Sequence, residues 1–93
     1  MKKITLFYLH GCPYCDNARK AFVELTKENG AYAAVEVDWV EESEQLELAN
    51  SYDYYYVPTI FNGEKKLYEA DPSQSSADIK QSVKAALDAI CAG

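Results

Sequence analysis

The spacing of apolar positions changes along the chain, and each change predicts a new element. Lys3 to Leu9 carries Ile4, Thr5, Leu6, Phe7, Tyr8 and Leu9, with apolar side chains on both alternating faces. A β-branched and aromatic run of this kind predicts a central strand covered on both sides. His10 and Gly11 end it. From Pro13 onward Cys15, Ala18, Phe22 and Leu25 recur at three and four residues, with Asp16, Asn17, Arg19, Lys20, Glu24 and Lys27 on the opposite side. That period predicts an amphipathic helix. Pro13 suits its first position, where no intrahelical N–H is needed, and Asn29-Gly30 suits its end. Cys12 then falls at the N-cap.

Ala33, Ala34, Val35, Glu36 and Val37 predict a second short strand ending at Asp38, so the first part of the chain is a parallel βαβ crossover. Asp38, Glu41 and Glu42 precede a weaker apolar stripe of Leu46, Ala49 and Tyr52. Acidic residues favour a helix N-terminus, and a second helix is expected here. After the run Tyr52-Asp53-Tyr54-Tyr55-Tyr56, Val57-Pro58-Thr59-Ile60-Phe61 predicts a strand that holds a proline, which belongs at an edge, a strand start or a special turn. Asn62-Gly63 then predicts a hairpin into Lys65-Lys66-Leu67-Tyr68, with both central turn residues at positive φ. Asp71-Pro72 breaks the pattern. Ser75 and Asp78 resemble a capping box before Ile79, Val83, Ala86, Leu87 and Ile90, which predict a C-terminal helix. The expected fold is α/β: a four-stranded mixed sheet, βαβ then αββα, flanked by three helices. No repeat or linker interrupts residues 1–93, so one domain is expected.

Composition adds exclusions. A chain of 93 residues, 48% apolar and 13% aromatic, has the means to bury a core. Its net charge of -6, with no Lys/Arg cluster longer than a pair such as Lys2-Lys3 or Lys65-Lys66, argues against nucleic acid. No stretch approaches the roughly 20 apolar residues of a membrane span, and the start lacks the pattern of a secretion signal. A cytoplasmic monomer is expected. Three cysteines is an odd number for a disulfide scaffold and fits a reactive pair in a reducing compartment.

That pair lies in His10-Gly11-Cys12-Pro13-Tyr14-Cys15, between the first strand and the first helix. Two thiols separated by two residues in this context point to redox chemistry. The attacking species is a thiolate, and free N–H groups at a helix start stabilise an anion there. Cys12 is expected to attack a substrate disulfide and Cys15, one turn inside on the apolar stripe, to resolve the mixed disulfide. A metal or iron–sulfur module is the alternative, using Cys12 and Cys15 with His10, Cys91, carboxylates or a second chain. His10 reads as a solvated residue at a strand end. Cys91 follows Leu87 by four and reads as a small apolar side chain. The tyrosine run reads as half-buried β-forming residues, whereas Tyr14, at the helix start, is expected on the surface in contact with substrate.

These residues resemble the thioredoxin superfamily over nearly the whole chain. Cys12-Pro13-Tyr14-Cys15 is similar to the active-site tetrapeptide of dithiol glutaredoxins, and Val57-Pro58-Thr59 to the family's cis-proline segment. The resemblance implies a thiol–disulfide oxidoreductase with a cis Pro58 beside Cys12 and a Val57 backbone that pairs with substrate. It implies Tyr14, Val57, Pro58 and Thr59 as substrate contacts and Asp71 as a contact for the glutathione amine. No bound cofactor is expected. Glutathione enters as co-substrate, or protein disulfides are reduced with electrons from a thioredoxin-reductase-type flavoenzyme. Two positions depart from the glutaredoxin pattern. Leu9 stands where a basic or polar residue is usual, and Tyr68-Glu69-Ala70-Asp71 stands where a Gly-Gly and an acidic pair are usual.

Overall fold

The computed structural model describes residues 2–92. Its sheet has strand order β2-β1-β3-β4, from β1 (Lys3–Tyr8), β2 (Glu36–Glu41), β3 (Thr59–Asn62) and β4 (Lys65–Glu69). The first strand is central, as its pattern predicts. It pairs parallel with β2, Leu6 opposite Trp39, and antiparallel with β3, Leu6 opposite Ile60. Its two faces reach different clusters. Ile4 and Leu6 join Ile60 and Tyr68 under α1 (Pro13–Glu28) and α4 (Ser76–Ala92), whose Ala18, Phe22, Leu25, Ile79, Val83 and Leu87 complete the main core. Phe7 points the other way, onto Val40, Phe61 and Ala49. The mixed α/β sheet expected from the sequence is therefore the observed one.

Three boundaries differ from the expectation, each for a physical reason. Residues Gly30–Ala33 form a helical turn, α2, rather than the approach to a strand. The Asn29 side chain accepts the Ala31 N–H at 3.0 Å, and Tyr32 is buried, which favours the turn over extension. The second strand consequently starts at Glu36 and continues past Asp38 to Glu41, because it follows the whole length of β1. The second helix, α3, shrinks to Leu46–Asn50. Glu41 and Glu42 do not lead into it, and Leu46 is 61% exposed, so only Ala49 anchors it to the sheet.

The hairpin is present but displaced by one residue. Asn62 pairs with Lys65, so Gly63 and Glu64 are the central residues, and only Gly63 has positive φ, at 60°. Glycine at the first central position is the II′ pattern, which needs no second residue at positive φ. The capping box forms as expected: Ser75 N–H donates to Asp78 Oδ2 at 3.0 Å and Asp78 N–H donates to Ser75 Oγ at 3.2 Å. Among the described residues no helix is long and apolar enough to cross a membrane.

Candidate active site

The end of β1, the start of α1 and the segment before β3 meet at one end of the sheet. Between β1 and α1 the chain makes a turn in which Gly11 has φ 78°, a value that suits glycine. Cys12 follows as the N-cap of α1 with extended backbone, φ -90° and ψ 115°. Pro13 is the first helical residue, where its missing N–H costs nothing. The Cys12 sulfur accepts the Cys15 N–H at 3.4 Å and lies 3.9 Å from the Val57 carbonyl oxygen. Val57–Pro58 is a cis peptide bond, in agreement with the resemblance. Two segments 45 residues apart in sequence thus bracket one sulfur.

The two thiols differ sharply in surroundings. Cys12 is partly exposed, whereas Cys15 is 4% exposed among the apolar side chains of α1, as its place on the helical stripe predicts. Burial pushes the Cys15 thiol up to about 12, and its hydrogen bond to Cys12 acts in the same direction. The Leu9 backbone N–H pulls the other way, while the charges of Cys12 and Asp16 add to the rise. Cys15 therefore holds its proton at neutral pH. Cys91, the third free thiol, lies near the end of α4, packed against the main core with its sulfur 3.8 Å from the Ala31 carbonyl.

The remaining expected contacts fall in distinct places. Tyr14 is half-buried rather than on the open surface: it packs against the main core and donates its hydroxyl to the Pro72 carbonyl at 2.8 Å. This bond ties the loop after β4 to the first turn of α1. Asp71, next to Pro72, is exposed, and its carboxylate accepts the Ser73 N–H at 2.9 Å and the Ser73 hydroxyl at 2.8 Å. Those two bonds hold its carboxyl below the usual range. Pro58 is buried, and its carbonyl takes the Ala70 N–H at 3.0 Å. Thr59 is fully buried with its hydroxyl on the Tyr56 carbonyl, so its side chain ties the segment internally and presents nothing outward.

Two carboxylates support the site from behind, and periodicity reveals neither. Glu41, 5% exposed at the end of β2, accepts the His10 N–H at 3.0 Å on Oε2 and both Ser43 donors at 2.7 Å on Oε1. It fastens the turn that delivers Cys12. His10 itself is 70% exposed, 3.7 Å from Glu44, in keeping with a solvated residue. Glu69, on β4, accepts the N–H groups of Tyr55 and Tyr56 at 2.6 and 2.9 Å and so holds the segment that leads into Val57. An acidic residue at the end of a strand was the only signal of either role. Among the described residues no group of three or more His, Cys, Asp or Glu side chains is arranged to hold a metal ion.

Comparison with known proteins agrees with this geometry. No curated protein matches the sequence. A protein described as "Structure of a malarial protein" superposes with a TM-score of 0.59 at 21% identity, over 88% of this chain and 92% of that one. A mutant thioredoxin from Halobacterium salinarum NRC-1 superposes with a TM-score of 0.57 at 20% identity, over 91% of this chain and 74% of that one. At such identities the likeness is one of fold. The glutaredoxin family model matches residues 4–66, a span that includes Cys12 and Cys15, the cis Val57–Pro58 bond and the hairpin turn. This chain, a thioredoxin-like sheet carrying a helix-capping dithiol, belongs to the glutaredoxin family.

Proposed function

We propose that the protein reduces disulfides by dithiol exchange, with Cys12 as nucleophile and Cys15 as resolving thiol. The observation that carries this reading is the pairing of an accessible sulfur at the N-cap of α1 with a buried, protonated thiol one turn below it. Cys12, as thiolate, attacks one sulfur of the substrate disulfide. The substrate S–S bond breaks, a Cys12–substrate disulfide forms, and the departing sulfur leaves as a thiolate that takes up a proton. Cys15 then loses its proton and attacks Cys12, forming the Cys12–Cys15 disulfide and releasing the second substrate thiol. Two electrons and two protons have passed to the substrate. Glutathione or a thioredoxin-reductase-type flavoenzyme would restore the dithiol.

The causes of the high Cys15 value give the order of events. As long as Cys12 carries charge, it raises Cys15 both by hydrogen bonding and by its field. Once Cys12 is tied up in a mixed disulfide its charge is gone, and ionisation of Cys15 becomes easier when it is needed. Val57 supplies the platform: its carbonyl lies beside Cys12, where an extended substrate segment would pair its backbone. Pro58 and Tyr14 hold this platform and the helix start in register, and the reducing cytoplasm would keep the three thiols free.

Replacement tests the assignment. Cys12→Ser is expected to abolish turnover of a disulfide substrate, and Cys15→Ser to accumulate a mixed disulfide on Cys12, detected by intact mass under non-reducing conditions. Equal residual activity in the two variants would overturn the roles.

A further inference from the structure

We infer that the preferred substrate of this site is a protein disulfide set in a basic, extended segment, rather than a glutathione mixed disulfide. The inference rests on the dithiol reading above and concerns what surrounds Cys12. Glutathione brings two carboxylates and one ammonium group, so a site that favours it needs a cation in reach of the reactive sulfur. The charged side chains on the turns and strand ends that hold Cys12 and Val57 are mostly acidic. His10, two residues before Cys12, stands between Glu41 at 4.0 Å and Glu44 at 3.7 Å. Asp16 lies in the first turn of α1. Asp71 adjoins Pro72, the acceptor of the Tyr14 hydroxyl. Glu69 carries the backbone of Tyr55 and Tyr56.

Of the cations on the neighbouring elements, Lys66 and Arg19 are engaged. Lys66 is bonded to Glu69 at 2.8 Å, and the Arg19 guanidinium lies over the rings of Tyr8 and Trp39, at 5.3 and 4.5 Å from their centroids. Lys20 projects from α1 one turn beyond Asp16. Charges act on an approaching substrate within a Debye length, about 8 Å at physiological salt, so an acidic rim slows an anionic substrate and speeds a cationic one.

A second, uncharged feature points to the same chemistry. Tyr55 is 87% exposed and Tyr56 53% exposed, directly before Val57. Exposed rings on a backbone held by Glu69 are faces on which Lys or Arg side chains stack. A substrate strand running along Val57 would lay its neighbouring side chains on these rings while its disulfide meets Cys12.

The test compares four disulfides with dithiothreitol as the regenerating reductant: a peptide disulfide flanked by lysines, the same peptide flanked by glutamates, the glutathione mixed disulfide of an uncharged peptide, and a small uncharged disulfide. The expected result is a kcat/KM about 10-fold higher for the lysine peptide than for the glutamate peptide or the glutathione adduct, a gap that narrows as salt rises. In the double variant Glu44→Lys, Asp71→Lys the preference between the two peptides should shrink or invert. Equal rates for the two peptides at low salt, or fastest turnover of the glutathione adduct, would overturn the inference while leaving the dithiol reading intact. Failure of the wild type to reduce even the uncharged disulfide faster than Cys12→Ser would overturn the dithiol reading itself.

Discussion

Glu41 shows how much one side chain contributes beyond its own position. A carboxylate at 5% exposure is costly unless its oxygens are satisfied, and here three donors converge on it. Its carboxyl lies below the usual range, first because of the His10 N–H and then because of the Ser43 hydroxyl. The folded state thus binds this proton less readily than the unfolded chain. The resulting stability is fully present above the ordinary carboxylate range and is lost as pH falls through the folded value. In thermal melts across the acid range, the wild type is expected to melt above Glu41→Gln at neutral pH, with the gap closing on acidification. A gap independent of pH would show that the ionised form is not what holds the turn.

At the level of elements, local chemistry at the helix ends explains where α1 and α4 begin. Pro13 and the Cys12 N-cap start one, and the reciprocal Ser75 and Asp78 bonds start the other. Loss of a serine cap typically costs about 1 kcal/mol. Ser75→Ala is therefore expected to lower Tm by about 4–8 °C, measured by circular dichroism on the reduced protein. The short α3 has no comparable device. Its Gln45 N-cap makes no side-chain bond, and its hold on the sheet is Ala49. Glu69 matters more for the neighbouring segment than α3 does, because it binds two successive backbone donors there.

Across the whole molecule the sheet separates two jobs. One face is buried by α1 and α4 and supplies the main core. The other is an aromatic cluster in which Phe7 meets Tyr52 and Tyr54, both at 4.9 Å between centroids, and Phe61 at 6.0 Å, with Val57 packed alongside. Leu6 and Phe7 are adjacent and both fully buried, yet they serve different faces. Leu6→Ala is expected to cost about 2–5 kcal/mol and Phe7→Ala about 3–5 kcal/mol in denaturant unfolding. Only Phe7→Ala should also slow disulfide reduction under native conditions, since it removes support from the Val57 platform. Equal effects on activity would show that the two faces do not divide the work in this way.

What could be read from the amino-acid sequence was whatever depends on near neighbours. The stripe of Cys15, Ala18, Phe22 and Leu25, the two-sided run of β1, the Ser75 cap and the Cys-Pro-Tyr-Cys spacing each involve residues within a turn or two of one another, and all appear in the fold. Boundaries failed where a side chain chose a partner that the local pattern did not show. Asn29 capped a helical turn in place of a strand approach, Glu41 turned inward to His10, and Gly63 moved the hairpin by one residue. The site itself was half legible. Its thiols stand three residues apart in one motif, but the Val57 carbonyl, the Pro72 carbonyl and the Glu69 carboxylate reach it or its supports only through the closed sheet. Burial decides which thiol keeps its proton, and burial is a property of the packed molecule: the sequence by itself determines that two sulfurs lie one helical turn apart with Cys15 on the apolar stripe, and the tertiary structure closes the core over that stripe and so raises the Cys15 thiol.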